Sequence, residues 1–348
     1  MASVPANRPV LGTPCPEEAI KARPTHERSR TIAVTAVLHH SVLATQTIET
    51  AAPTAGELWV DGTTGAGGHS ELLLQAVADL RLIALDRDES ALAIAKSRLE
   101  PYADRVEFVH ARFSDLPAVL SERAPEGVDG ILLDLGVSSM QLDRPERGFS
   151  FSRSGPIDMR MDPSRGQTAL ELIRTTPVDE LAAMIKELGE ERYGKRVAAA
   201  LRDAVRDDKL ETTSDLARVI EDAIPPKAKR NTRIHPATRT FQALRIALNA
   251  ELDELETFLD AFPGLLRPGG RCAVISFHSL EDRRVKHRFR ELEWSSSLPA
   301  HLAERAGERV HPICTRVTRR AIVADEAEIR LNPRSRSARL RVCRKYQP

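Results

Sequence analysis

Short apolar runs alternate with segments of helical period along most of the chain. Residues 58–60, 81–86, 105–110, 130–135 and 271–277 are strand-length stretches in which apolar positions are continuous or alternate with polar ones. Helical segments lie between them. One begins at Glu71, and another, over 89–99, sets Leu92, Ile94 and Ala95 on one face. Strands alternating with helices predict a doubly wound α/β sheet.

The pattern changes over residues 169–224. Strand-like runs stop and charge rises. Leu181, Met184, Ile185 and Leu188 share one helix face, and Leu216, Ile220 and Ile224 share another. This block predicts a helical insertion, closed by Pro225 and Pro226. Four segments are expected: an N-terminal extension (1–34), a first part of the sheet domain (35–145), the insertion (146–232) and a second part of the sheet domain (233–348). The extension carries Pro5, Pro9, Pro14, Pro16 and Pro24 with little periodicity and is expected to be disordered, with order setting in over 37–43. Further expectations are one helix carrying Leu244, Leu248, Leu252 and Leu255, a turn at Pro268, a helix over 285–292 and an edge strand over 338–343. Glu187, Glu190 and Glu191 read as a solvated helix face.

The first strand runs into Asp61-Gly62-Thr63-Thr64-Gly65-Ala66-Gly67-Gly68-His69-Ser70. Glycines allow a sharp turn and close approach of a ligand, and amides at the start of the next helix point at it. Asp86 ends the second strand, where a carboxylate accepts hydrogen bonds from ribose hydroxyls. The glycine spacing is not the dinucleotide G-x-G-x-x-G pattern. Asp61 would repel a pyrophosphate, and it suits a ligand with an amine and a sulfonium. S-adenosylmethionine therefore fits better than NAD. Phe113 follows the third strand, where it can stack on an adenine or belong to the core. Asp134 ends the fourth strand, on the side where open α/β sheets bind ligands.

Composition narrows the class. The 348 residues are 41% hydrophobic and 29% charged, as in a soluble globular protein. No apolar run is long enough to cross a membrane, so no membrane association is expected. Cys15, Cys272, Cys314 and Cys343 form no C-x-x-C pair, which argues against a zinc ribbon and for a reducing cytoplasm. A net charge of +1 conceals two basic stretches. One contains Lys227, Lys229, Arg230, Arg233, Arg239 and Arg245. The other is the tail beyond Glu328, and together they suggest a polyanion surface. His278 and Glu281 stand at metal-ligand spacing, but no further ligand is evident, and no metal is expected.

Residues 61–70, 129–141, 147–166, 235–245 and 276–283 resemble, in order, the signature blocks of the RsmH (MraW) methyltransferase family. The resemblance runs from His39 to the tail and omits a stretch near 293–324. It implies a class I, Rossmann-like methyltransferase sheet with an inserted helical substrate-recognition domain. The implied activity is transfer of a methyl group from S-adenosyl-L-methionine to N4 of a cytidine in the decoding (P-site) region of 16S ribosomal RNA, within the small ribosomal subunit. The oligomeric state stays open, a homodimer included.

The resemblance also implies roles for single residues. Gly67, Gly68 and His69 would line the methionine side of the cofactor, Asp86 would bind ribose and Phe113 would lie by the adenine. Asp134 and Gln141 would complete the cofactor site. Many amino-methylating enzymes on nucleic acid carry a Pro-Pro-aromatic motif after the fourth strand. This chain has Leu135-Gly136-Val137-Ser138-Ser139 there. The expected acceptors for the target amine are therefore Asp134, Ser138, Ser139 and loop carbonyls. Phe149, Phe151, Arg147, Arg160, Arg239 and Phe277 are candidates for the cleft mouth. A dehydrogenase and a catalytically silent RNA-binding assembly factor are the alternatives.

Overall fold

A computed structural model describes residues 41–229, 234–293, 298, 300–306 and 312–348. The expected extension, residues 37–40, Cys15, Arg230 and Arg233 lie outside the described residues.

Seven strands form one sheet: β1 (Leu58–Asp61), β2 (Arg81–Asp86), β3 (Val106–His110), β4 (Val128–Asp134), β5 (Leu266–Ser276), β6 (Cys314–Arg316) and β7 (Arg339–Lys345). Their order is β3-β2-β1-β4-β5-β7-β6. The first five are parallel, and β7 is antiparallel to both β5 and β6. The fold is the Rossmann-like methyltransferase sheet. β7 is thus an interior strand, and the edge position expected for it belongs to β6. Three residues of β6 were too few to read from sequence.

The sheet is covered on both faces, so its central strands are apolar on both. Val60, Ile83, Ile131, Leu133, Cys272 and Val274 face one layer, whose helices supply Leu116, Leu120, Phe258, Phe262 and Phe289. Their neighbours Trp59, Leu82, Ala84, Leu132, Ala273 and Ile275 face the other, with Leu43, Leu73 and Leu74. This period of two follows from the pleat. Gly130 is required because any Cβ there would collide with the Trp59 indole on the adjacent strand.

Helices Ala169–Thr175, Val178–Leu188, Gly194–Arg206 and Thr213–Ala223 follow the fourth strand and its loop. They share a core with Phe149, Ile157, Met159, Met161, Phe241 and Leu244. Thr168 and Thr212 cap two of them, each accepting from the amide three residues on. The single helix expected through Leu255 is two, Thr238–Asn249 and Glu251–Leu265. Ala250 between them adopts φ 51°, a left-handed conformation that ends the first helix. The expected turn at Pro268 is a bulge within β5: Val128 pairs with Leu266 and Gly130 with Arg271.

Of the acids read as a solvated helix face, Glu187 and Glu190 are exposed, but Glu190 and Glu191 lie past the end of the helix. Glu191 is buried and accepts from the Tyr193 amide, and Glu190 accepts from Ser279 Oγ and Arg283. They follow the Val178–Leu188 helix, where Glu190 turns with φ 50°. Three of the tail arginines are similarly committed. Arg341 pairs with Asp282, Arg334 pairs with Asp143, and Arg344 donates to the Gly269 carbonyl. The described cysteines, Cys272, Cys314 and Cys343, are free and buried.

Candidate active site

The carboxyl ends of β1, β2 and β4 meet where strand order reverses, between β1 and β4, which is where such sheets bind ligands. A cleft of about 590 Å³ opens there. Its walls include residues 63–66, Gly68, His69, Asp86, Phe113, Asp134, Ser138, Ser139 and Gln141. A smaller cleft of about 410 Å³ lies at the opposite, amino-terminal edge of the strands, around Leu58, Arg81 and Asp104.

The glycine turn is braced from below. Asp61 accepts from Ser70 Oγ at 2.7 Å and from the Thr63 amide at 3.2 Å. Asp86 accepts from the amides of Gly65 and Asp88 at 2.7 and 2.8 Å. Burial nevertheless raises both carboxyls to about 6. Gly67 sits at φ +82°, and the helix Gly68–Ala76 begins immediately after it. A Cβ on Gly68 would meet Ser41 Oγ. Glycine is thus called for at Gly67 by its left-handed backbone and at Gly68 by the close approach of Ser41, and Gly68 lines the cleft.

Asp134 has a different environment. Its amide donates to Thr63 Oγ1 at 2.6 Å, but its carboxylate Oδ1 is buried without a hydrogen-bond partner. Oδ2 lies 3.6 Å from His69 Nε2. Burial raises Asp134 to about 8, and the neighbouring charges of Asp61 and Glu281 push the same way. Burial lowers His69 to about 4, against the Val42 backbone. The pair is consequently neutral near pH 7, an acid beside a base with neither ionised.

Ser138 caps the short helix Ser139–Asp143. Its hydroxyl accepts from the Gln141 amide at 3.3 Å, and its amide donates to Gln141 Oε1 at 3.0 Å. The other end of the Gln141 side chain donates to Asp88 at 3.0 Å. Gln141 thus lines the cleft while its amide is committed to the wall. Arg147 also donates to Asp88, at 2.7 Å, and to the carbonyls of Arg160 and Met161. Burial opposes ionisation of Asp88, but Ser90, Arg147 and Gln141 outweigh it, and its pKa lies below the usual value.

Phe113 lines the cleft and packs edge-to-face on Phe258, with centroids 6.0 Å apart. Phe277 also lines it. Phe149 is buried, and Phe151 packs between His235 and Phe241, so both belong to the helical core. Arg160 is paired with Asp158, and Arg239 lies 3.8 Å from Glu191.

Glu251, His278 and Glu281 converge closely enough to suggest a cation site. Their hydrogen bonds argue otherwise. His278 Nδ1 accepts from the Glu281 amide, so a neutral ring carries its proton on Nε2, 3.1 Å from Glu281 Oε1. Arg245 already forks onto Glu251 at 2.7 and 2.8 Å. The cluster already contains a cation, the Arg245 guanidinium. Glu281, Arg245 and Asp88 were not assigned to the site from sequence. Asp88 offered one signal, a helix-capping residue directly after the Asp86 strand tip.

Residues 36–346 match the model of the MraW methylase family. The chain belongs to the MraW methylase family. Ribosomal RNA small subunit methyltransferase H of Citrifermentans bemidjiense is 51% identical over 308 residues, covering 88% of this chain and 98% of that protein. The protein of the same name from an Anaeromyxobacter species (strain Fw109-5) is 48% identical over 318 residues, covering 89% and 98%. Among solved structures, TrmN from Thermus thermophilus aligns with a TM-score of 0.39 at 15% identity, covering 87% of this chain and 48% of that one. Among the described residues no helix is long and apolar enough to cross a membrane.

Proposed function

We propose that this protein methylates the N4 amino group of a cytidine in the decoding region of 16S ribosomal RNA, with S-adenosylmethionine as methyl donor. The observation that carries the reading is a family member's cleft whose glycine turn faces strand-tip carboxylates, one of them without a partner. The relatives' name supplies the ribosomal RNA of the small subunit. Cytidine N4 and the decoding region are what the resemblance of the signature blocks to that family implies.

The residues present fit the donor. Gly68 and His69 lie on the cleft wall that suits its methionine part, and Asp86 suits ribose hydroxyls. Phe113 offers a ring face or edge to adenine. Asp134 and Asp61 suit a cationic centre. When bound, S-adenosylmethionine supplies a methyl group on a positively charged sulfur.

A cytosine amine is a poor nucleophile because its lone pair is delocalised into the ring. Holding it in line can contribute about 7–11 kcal/mol. An acceptor on its N–H localises the lone pair and stabilises positive charge as it develops. Asp134 is the acceptor we assign, because it lines the cleft and its buried Oδ1 has no hydrogen-bond partner. Ser138 and Ser139 stand beside it, although one lone pair of Ser138 already serves the Gln141 amide. Unstacking the target base costs a few kcal/mol. We assign that recognition to the helices over 169–223 and the cleft mouth.

The test is methyl transfer to small subunits lacking the modification, followed by nucleoside digestion. N4-methylated cytidine is expected. A different nucleoside overturns the substrate assignment, and titration with NAD against S-adenosylmethionine tests the dehydrogenase alternative directly.

A further inference from the structure

Four arginines line the cleft, and each is engaged by a carboxylate other than Asp134. Arg87 pairs with Glu254, Arg98 with Glu71, Arg245 with Glu251 and Arg334 with Asp143. The groups around Asp134 on each packed element are equally unhelpful to an anion. β1 brings Asp61, which already accepts from Ser70 and Thr63. β2 brings Asp86, held by two amides. The helix Gly68–Ala76 brings His69, buried with no hydrogen bond of good geometry at either nitrogen. The helix Ser279–Glu291 brings Glu281, whose carboxylate is taken by the Phe277 and His278 amides and stands beside the His278 ring. Asp134 is therefore a carboxyl group with no committed cation among the described residues, surrounded by other carboxylates.

We propose that Asp134 distinguishes the charged methyl donor from its neutral product by exchanging a proton: it is protonated in the ligand-free chain, ionised beside S-adenosylmethionine, and protonated again after transfer. This rests on the methyltransferase reading above. The step balances. The amine lone pair forms the new N–C bond, and the S–C bond breaks with its electron pair passing to sulfur. The surplus proton on the methylated nitrogen passes to the Asp134 carboxylate. The combined charge of Asp134 and the sulfur is zero before donor entry, zero with the donor in place and zero after transfer. A low-dielectric cleft never has to hold an isolated charge at this point. The neutral thioether meets a neutral acid, which has no ionic hold on it.

Burial and the Asp61 and Glu281 charges raise Asp134 to about 8, so at pH 7 it is mostly protonated without ligand. Isothermal titration at pH 7, in buffers of differing ionisation enthalpy, reads the proton directly. Binding of S-adenosylmethionine at pH 7 is expected to release most of one proton per site. S-adenosylhomocysteine is expected to release close to none. Asp134→Asn removes the release and reduces the preference for the charged ligand at least about tenfold. The donor's α-amino group titrates nearby and is common to wild type and variant, so their difference isolates Asp134. Equal proton release with both ligands in the wild-type protein overturns the proposal, and that comparison needs no variant to fold. So does release that persists in Asp134→Asn. Failure of S-adenosylmethionine to bind at all overturns instead the methyltransferase reading.

Discussion

Asp88 and Asp134 occupy the same neighbourhood and have opposite surroundings. Asp88 accepts from Ser90, Gln141 and Arg147, and is held ionised below the usual carboxylate range. Asp134 meets two carboxylates and an uncharged His69, and is held protonated near neutrality. Two aspartates, one capping the helix after β2 and one ending β4, thus acquire different tasks from their partners. A buried carboxylate whose lone pairs are filled by the chain is scaffold. One left open is reserved for something the chain lacks. The difference is one of hydrogen bonding and of the neighbouring charges, since burial pushes both in the same direction.

The contrast breaks most directly at Asp134. Asp134→Ala is expected to lower methyl transfer about 10³-fold, or roughly 4 kcal/mol in the barrier, with the folded state intact. Radiolabelled transfer and circular dichroism on the same sample check both halves. A variant that keeps wild-type turnover removes Asp134 from the chemistry.

At Asp88 the opposite result is expected. Arg147→Ala leaves a buried aspartate without its cation and frees the Arg160 and Met161 carbonyls. Breaking one side of a buried pair costs about 3 kcal/mol or somewhat more. Denaturant unfolding should show the loss. Arg147→Lys should recover only part of it, because one ammonium cannot reproduce the planar fork that reaches three acceptors.

This contrast marks the limit of what the sequence could show. Apolar runs located β1 to β5 because strands covered on both faces must be apolar. Asp61, Asp86 and Asp134 were legible as polar residues ending those runs. Asp88 was not, since its partners Gln141 and Arg147 lie 53 and 59 residues away and no local pattern joins them. The same holds for Arg245, which read as part of a basic surface and is instead buried against Glu251. Glu191 was misread for a related reason: a charge on an apparent helix face gives no hint that the chain turns just before it. The break at Ala250 escaped because alanine favours continuing a helix, and only tertiary packing sustains its left-handed backbone.

The glycine turn offers a smaller test. Gly67→Ala forces a Cβ into a left-handed conformation, although the surrounding Ala95 and Leu99 atoms leave ordinary contact distances. The expected cost is about 1–2 kcal/mol of backbone strain. Relief of that strain should move the first turn of the Gly68–Ala76 helix and weaken S-adenosylmethionine about tenfold, as calorimetry would read. Unchanged affinity would mean that this turn is a connection and not a cradle.

The finest test concerns the ligand-free protein. Asp134 has a folded value of about 8, raised from the ordinary 3.8. The folded chain therefore holds a proton that the unfolded chain releases. Its contribution to stability is full below about pH 4 and is lost as pH rises, with the loss complete above about pH 8. Asp134→Asn removes that loss. The variant should gain over wild type progressively between these limits, and the gain should level off above pH 8. Asp61 and Asp86, both raised to about 6, are present in both proteins and largely cancel in the difference. The Asp134 side chain is 26% exposed, which discounts the gain to about 1 kcal/mol, or roughly 2 °C in Tm. Asp88→Asn, with its lowered pKa, should show the reverse sign at pH 7 and above. Melts of both variants at pH 5 and pH 9 therefore ask whether the open carboxylate costs stability where the filled one supplies it. Equal destabilisation by both substitutions at pH 9 would make Asp134 one more piece of scaffold.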